Sequence, residues 1–112
     1  MDFILNDDQK MLRDMVARLA TEKFAPKAAE IDEKEEFPVE NVKLLYENGL
    51  LGVNIPEEYG GAGAGTLALC LVEEEIAKVC CSTAVILTTQ ALASDPMLLA
   101  GSEEIKQKYL ML

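Results

Sequence analysis

Apolar positions recur along much of this chain at the spacing of a helix. Leu12, Met15, Val16, Leu19 and Ala20 are three or four residues apart, which puts one apolar face on a helix. Asn6-Asp7-Asp8-Gln9 marks its start. Asn6 suits the N-cap, Gln9 can reach back in a capping box, and the aspartates favour the positive end of the helix dipole. Phe24-Ala25-Pro26 is expected to break that helix. A short, charged helix is expected over Lys27 to Glu36, with Ala28 and Ile31 facing inward. Pro38 fits the first turn of the next helix, whose buried side reads as Val39, Val42, Leu45 and Tyr46. Gly49 stands where a left-handed residue ends a helix, and Leu50 is the apolar partner of a Schellman-type cap.

From Leu51 to Gly65 the helical spacing stops. A brief alternation, Leu51 to Pro56, leads into a glycine-rich loop, Glu57 to Gly65. Thr66 is expected to cap a helix running to Val79, with Leu69, Val72, Ile76 and Val79 on one face. The stretch from Val79 to Ser94 has no charged side chain, between Lys78 and Asp95. A segment without a solvated face belongs inside a fold. We read it as a central helix with Ser82 as N-cap. A buried strand is the rival reading, because Val85 to Thr89 is rich in β-branched residues. Pro96 is expected to kink that helix or to restart a short turn over Met97 to Ala100, closed by Gly101. Ser102 caps a last helix with Glu103 and Glu104 in its first turn. The fold class expected is all-α, an up-and-down bundle of about six helices. The apolar end, Tyr109-Leu110-Met111-Leu112, carries no stop signal and reads as a cut.

With 112 residues the natural count is one domain. The net charge of −10 argues against nucleic-acid backbones and anionic membrane surfaces as partners. Met1-Asp2-Phe3 leads straight into helical sequence without the pattern of a signal peptide, and the uncharged run is too polar and too short to span a membrane. Three cysteines, Cys70, Cys80 and Cys81, do not make a disulfide framework, which points to a reducing compartment. No histidine is present, so His-dependent nucleophilic and metal sites are excluded. The uncharged neighbourhood of Cys80-Cys81 offers nothing to activate a thiol, and small buried apolar residues are the commoner role. Gly61-Ala62-Gly63-Ala64-Gly65 does not meet the G-x-G-x-x-G pattern, because Thr66 replaces the third glycine; a tight turn beside packed helices is the plainer reading. Glu73, Glu74 and Glu75 point in different directions on a helix and do not converge on a metal.

The order of segments resembles the N-terminal helical domain of the acyl-CoA dehydrogenase family. The likeness is carried by Leu5-Asn6-Asp7-Asp8-Gln9-Lys10, by Phe24-Ala25-Pro26-Lys27-Ala28-Ala29-Glu30-Ile31-Asp32, by Phe37-Pro38 and by Gly49 through Gly63, which contains Ile55-Pro56-Glu57-Glu58-Tyr59-Gly60-Gly61. Glu74 to Lys78 and Gly101 to Leu110 continue it, so it covers essentially the whole chain. The resemblance implies a flavoenzyme with two further domains, a middle β-domain and a C-terminal helical domain. Such an enzyme oxidises the Cα–Cβ bond of an acyl-CoA thioester with FAD and passes electrons to electron-transfer flavoprotein. The catalytic glutamate and nearly all FAD contacts are implied to lie outside residues 1–112, so no catalytic residue is assigned here. By position, Ala84, Val85 and Thr88 are implied to line the distal end of the acyl pocket. Leu12, Leu50, Ala62, Ala64 and Val72 are implied to form an apolar pocket for the flavoprotein partner, although ordinary core is an equal reading for Leu12, Leu50 and Val72. A homotetramer in the cytoplasm, or in the mitochondrial matrix of a eukaryote, completes the implied picture. The alternative from another class is a stand-alone, non-catalytic helical interaction module derived from the same fold.

Overall fold

The computed structural model describes residues 2–111; the readings made of Met1 and Leu112 lie outside them. Helix α1 (Asp7–Leu19) leads through a π-helical turn (Ala20–Phe24) into α2 (Ala25–Lys34). Helix α3 (Val39–Glu47), a 3-10 turn (Glu57–Tyr59), α4 (Gly65–Ala77), α5 (Cys81–Ala100) and α6 (Glu103–Tyr109) follow. The domain is all-α, and no strand occurs among the described residues, which removes the strand reading of Val85 to Thr89.

The caps form where short-range chemistry demands them. Asn6 Oδ1 accepts from the Gln9 backbone N–H at 2.8 Å, and Gln9 Oε1 accepts from the Asn6 N–H at 2.9 Å, a complete capping box. Gly49 has φ 70°; its N–H bonds to Tyr46 O and the Leu50 N–H to Leu45 O, the paired bonds of a Schellman motif. Leu50 is then driven into the core at 2% exposure. Ser102 caps α6 through the Ile105 N–H.

Other boundaries differ from expectation. Phe24-Ala25-Pro26 does not break the chain's course. The Ala25 N–H reaches back five residues to Ala20 O. This widened turn lets Pro26, which has no N–H to give, enter the first turn of α2. Helix α4 starts at Gly65 and not after Thr66, because Ala62 and Ala64 N–H groups are already bonded to Gly52 O and Val53 O, which aims the chain into the helix early. Helix α5 starts at Cys81 with Cys80 in the extended cap position, so Ser82 lies inside the first turn. Pro96 is accommodated within α5. Its missing bond falls to the carbonyl of Leu92, a residue 71% exposed, where solvent can take it. On α3 the buried stripe is Asn41 and Leu45, while Val39 and Tyr46 face outward.

Helix α1 packs on α4, α4 on α5, and α5 also meets α2, α3 and α6. The main core joins Val16, Ala20 and Phe24 to Leu45, Leu50, Val72, Ile76 and Leu87. A second, smaller core of Ile55, Tyr59 and Leu110 lies under Met97 and Leu98. There the Tyr59 hydroxyl donates to Glu103 Oε1 at 2.8 Å. That bond holds the Tyr59 pKa up, to about 12, with burial adding to it. The same bond, then one from Gln107, lowers the Glu103 pKa.

The sign of the linkage follows from the lowered carboxyl. The stabilisation from Glu103 is complete above its unfolded pKa and is lost as pH falls through the folded one. Tyr59→Phe is therefore expected to lower Tm at pH 7, and the gap to the native chain is expected to narrow below about pH 4, where carboxylates protonate. Thermal unfolding followed by circular dichroism from pH 7 to about 3 checks this; a constant gap contradicts it.

Candidate functional site

Helix α5 sorts its residues by size and not by charge. Thr83, Ala84, Leu87, Ala91 and Ser94 are buried against its neighbours. Small side chains at all of these positions but Leu87 let α4 and α3 approach closely. The opposite side leaves Val85 51%, Leu92 71% and Leu99 87% exposed. Beside this open side runs a groove of about 930 Å³, between α5 and the chain that joins α2 to α3. Ile31, Phe37 and Pro38 form one wall, and Val85, Ile86 and Ala93 the other. Asp32, Glu35 and Glu36 also line it, and no lysine or arginine does. Glu35 caps the end of α2 with φ 53°, a left-handed conformation in a residue with a Cβ.

Two polar ties hold α5 to the segment after α3. The Gln90 amide donates to Leu51 O at 3.1 Å, and Asn54 Nδ2 donates to Asp95 Oδ1 at 3.0 Å. Further back, Asn41 Nδ2 donates to Thr83 Oγ1 at 2.8 Å inside the core.

The residues assigned to the acyl end do not share one surface. Val85 lines the groove. Ala84 is 6% exposed and belongs to the main core. Thr88 is exposed and directs its hydroxyl to Ala84 O at 3.4 Å. Sequence reasoning missed Ile86, Gln90 and Ala93, which helical spacing from Val85 along the uncharged run could have found. It also missed Ile31, Phe37 and Pro38, which reach the groove only through tertiary packing.

The residues assigned to a partner pocket also divide. Leu50 and Val72 are core, at 2% and 0% exposure, and Leu12 is half-buried against them. Ala62 and Ala64 are exposed on the glycine loop. That loop is laced down: Ala62, Gly63 and Ala64 N–H groups bond to the carbonyls of Gly52, Ile55 and Val53, each at 2.9 Å. Those amides are therefore not available to cradle a phosphate. A Cβ on Gly61 would lie 2.0 Å from Ile55 O, so glycine is required there for close approach.

The family model described as "Acyl-CoA dehydrogenase, N-terminal domain" matches residues 6–111. The chain belongs to the acyl-CoA dehydrogenase family. Within it, the chain is 45% identical over 112 residues to the short-chain specific acyl-CoA dehydrogenase of Clostridium acetobutylicum, covering 99% of this chain and 30% of that protein. It is 45% identical over 106 residues to cyclohex-1-ene-1-carbonyl-CoA dehydrogenase of Syntrophus aciditrophicus, covering 95% of this chain and 26% of that protein. Among solved structures, it resembles butyryl-CoA dehydrogenase from Megasphaera elsdenii, with TM-score 0.90, 32% identity, and coverage of 99% of this chain and 30% of the other. It also resembles a chain in a structure of the electron transferring flavoprotein of Acidaminococcus fermentans, with TM-score 0.92, 38% identity and the same coverage. This acyl-CoA dehydrogenase N-terminal domain thus spans under a third of the length of these relatives. Among its described residues no helix is long and apolar enough to cross a membrane.

Two glycine substitutions separate close approach from backbone strain. Gly61→Ala forces the loop off Ile55 and is expected to cost about 3 kcal/mol, the upper end for overpacking. Gly49→Ala meets open space and is expected to cost only left-handed strain, about 1–2 kcal/mol. Urea unfolding of both variants checks the order; equal losses contradict it.

Proposed function

We propose that this chain is the N-terminal helical domain of an FAD-dependent acyl-CoA dehydrogenase, and that α5 supplies one wall of its acyl pocket. The observation that carries this is the open, uncharged side of α5 beside a groove with aliphatic and aromatic walls. The end of an acyl chain needs contact area without charge to desolvate, and the α5 wall gives it, while the carboxylates Asp32, Glu35 and Glu36 come from the α2 side. The CoA end does not belong in the groove, because no cation lines it and three carboxylates do. The groove therefore takes the far end of the acyl group, with Val85 as the contact among the three positions inferred from sequence. Ala84 supports that wall from the core side, and Thr88 stands on the next turn.

The flavin would supply the hydride acceptor for Cα–Cβ oxidation. The residues of this chain do not fit its pyrophosphate, since the glycine-loop amides are already bonded and no cation lines the groove. Its contacts, and the base that takes the α-proton, fall to a middle β-domain and a C-terminal helical domain of the same polypeptide. Electron-transfer flavoprotein is the proposed electron acceptor. The exposed Ala62 and Ala64, with the half-buried Leu12, form the part of its docking surface that this chain contributes, while Leu50 and Val72 act from beneath. A homotetramer in the cytoplasm or mitochondrial matrix is the proposed setting.

The test uses the natural full-length polypeptide and a series of straight-chain acyl-CoAs with a dye acceptor. Val85→Phe fills groove volume, and the expected result is a loss of kcat/KM of about tenfold or more for the longest chain accepted, with the shortest little changed. An unchanged chain-length profile removes Val85 from the pocket. Full-length protein without bound flavin or acyl-CoA oxidation supports the non-catalytic module instead.

A further inference from the structure

Asn41 is 1% exposed and Thr83 0%, yet they come from helices 42 residues apart in sequence. Asn41 Nδ2 donates to Thr83 Oγ1 at 2.8 Å, and Cys80 Sγ lies 3.1 Å from the same oxygen. Asn41 Oδ1 is buried and has no partner among the described residues. An amide that the surrounding protein groups satisfy only in part is a poor choice for stability, and a leucine of similar shape would avoid the unpaired oxygen. The value of the amide therefore lies elsewhere, in direction. Apolar contacts at a helix crossing tolerate sliding and rotation, whereas a hydrogen bond between two short side chains does not.

The position of this bond gives it a consequence. Asn41 is in the first turn of α3, directly after Phe37 and Pro38, which form one wall of the groove. Thr83 is in the first turn of α5, between Ser82 and Val85 of the other wall. That first turn has no side-chain cap of its own, since Cys80 makes no capping bond. We infer that Asn41 and Thr83 are positioning residues that set the spacing of the groove walls, and so the size of the group the groove admits. Neither lines the groove; both act through Pro38 and Val85. This inference rests on the acyl-pocket reading for its consequence in specificity, but not for its geometry.

Two readouts in the full-length protein test it. The first needs no activity: the rate at which a maleimide modifies Cys80, told from the adjacent exposed Cys81 by fragment-ion masses. Cys80 is 5% exposed beside the pin. In Asn41→Leu, and in the double variant Asn41→Leu/Thr83→Val that leaves no buried amide unpaired, its modification is expected to quicken about tenfold through local opening of the α5 start, with Tm unchanged or raised. Thr83→Ser keeps the hydroxyl and is expected to retain the native rate. An unchanged Cys80 rate in both apolar variants overturns the pin, as does a rise that Thr83→Ser shares or that follows a fallen Tm. The second readout is the acyl-CoA profile. In the apolar variants KM is expected to shift with chain length by more than kcat, again with Thr83→Ser native-like. Equal losses at every chain length overturn the link to the groove walls. A protein that oxidises no acyl-CoA defeats that link and the pocket reading together, while the maleimide rates still decide the pin.

Discussion

The structure depends on burying one side of a helix that has no charge from Val79 to Ser94. Leaving its aliphatic side chains in water is costly, so neighbours must cover them. Helices α2, α3, α4 and α6 cover one side, through the small residues Ala84, Ala91 and Ser94 and the larger Leu87. The rest, with Val85, Leu92 and Leu99, stays open beside the groove. A helix with a long uncharged run that is covered on one side only is suited to sit between two layers of a larger protein. The family gives that second layer a meaning, since the chain spans under a third of its relatives.

Around that helix the remaining elements act as spacers. The π-turn keeps α1 and α2 on one course despite Pro26. Gly61 lets the loop press on Ile55, and the loop's bonds to Gly52, Val53 and Ile55 fix the segment that Gln90 and Asp95 then grip. Tyr59 and Glu103 fasten the far end of α5 through α6. The groove is thus the gap left when each of these ties is made.

Much of this was legible because it is local. Asn6 and Gln9, Gly49 and Leu50, and Ser102 each act within a few residues, so the caps could be read directly. The all-α class followed from periodicity, and the family followed from the run around Ile55 to Gly61. What depended on distant contacts was not legible. Helical spacing points to Val39, Val42, Leu45 and Tyr46 as the buried stripe of α3, whereas Asn41 and Leu45 are the buried pair, and the partner of Asn41, Thr83, lies far off in sequence on α5. The wall of Ile31, Phe37 and Pro38 was missed for the same reason. Leu50 and Val72 carried apolar character that fits core and pocket equally in a sequence, and only packing separates the two.

The most direct measurement is a crystal structure of the natural full-length polypeptide with a non-oxidisable acyl-CoA analogue of the longest chain it accepts. The end of the acyl chain is expected in van der Waals contact with Val85, between α5 and a second layer of the protein. An acyl chain that ends elsewhere, with the open side of α5 facing solvent, would contradict it.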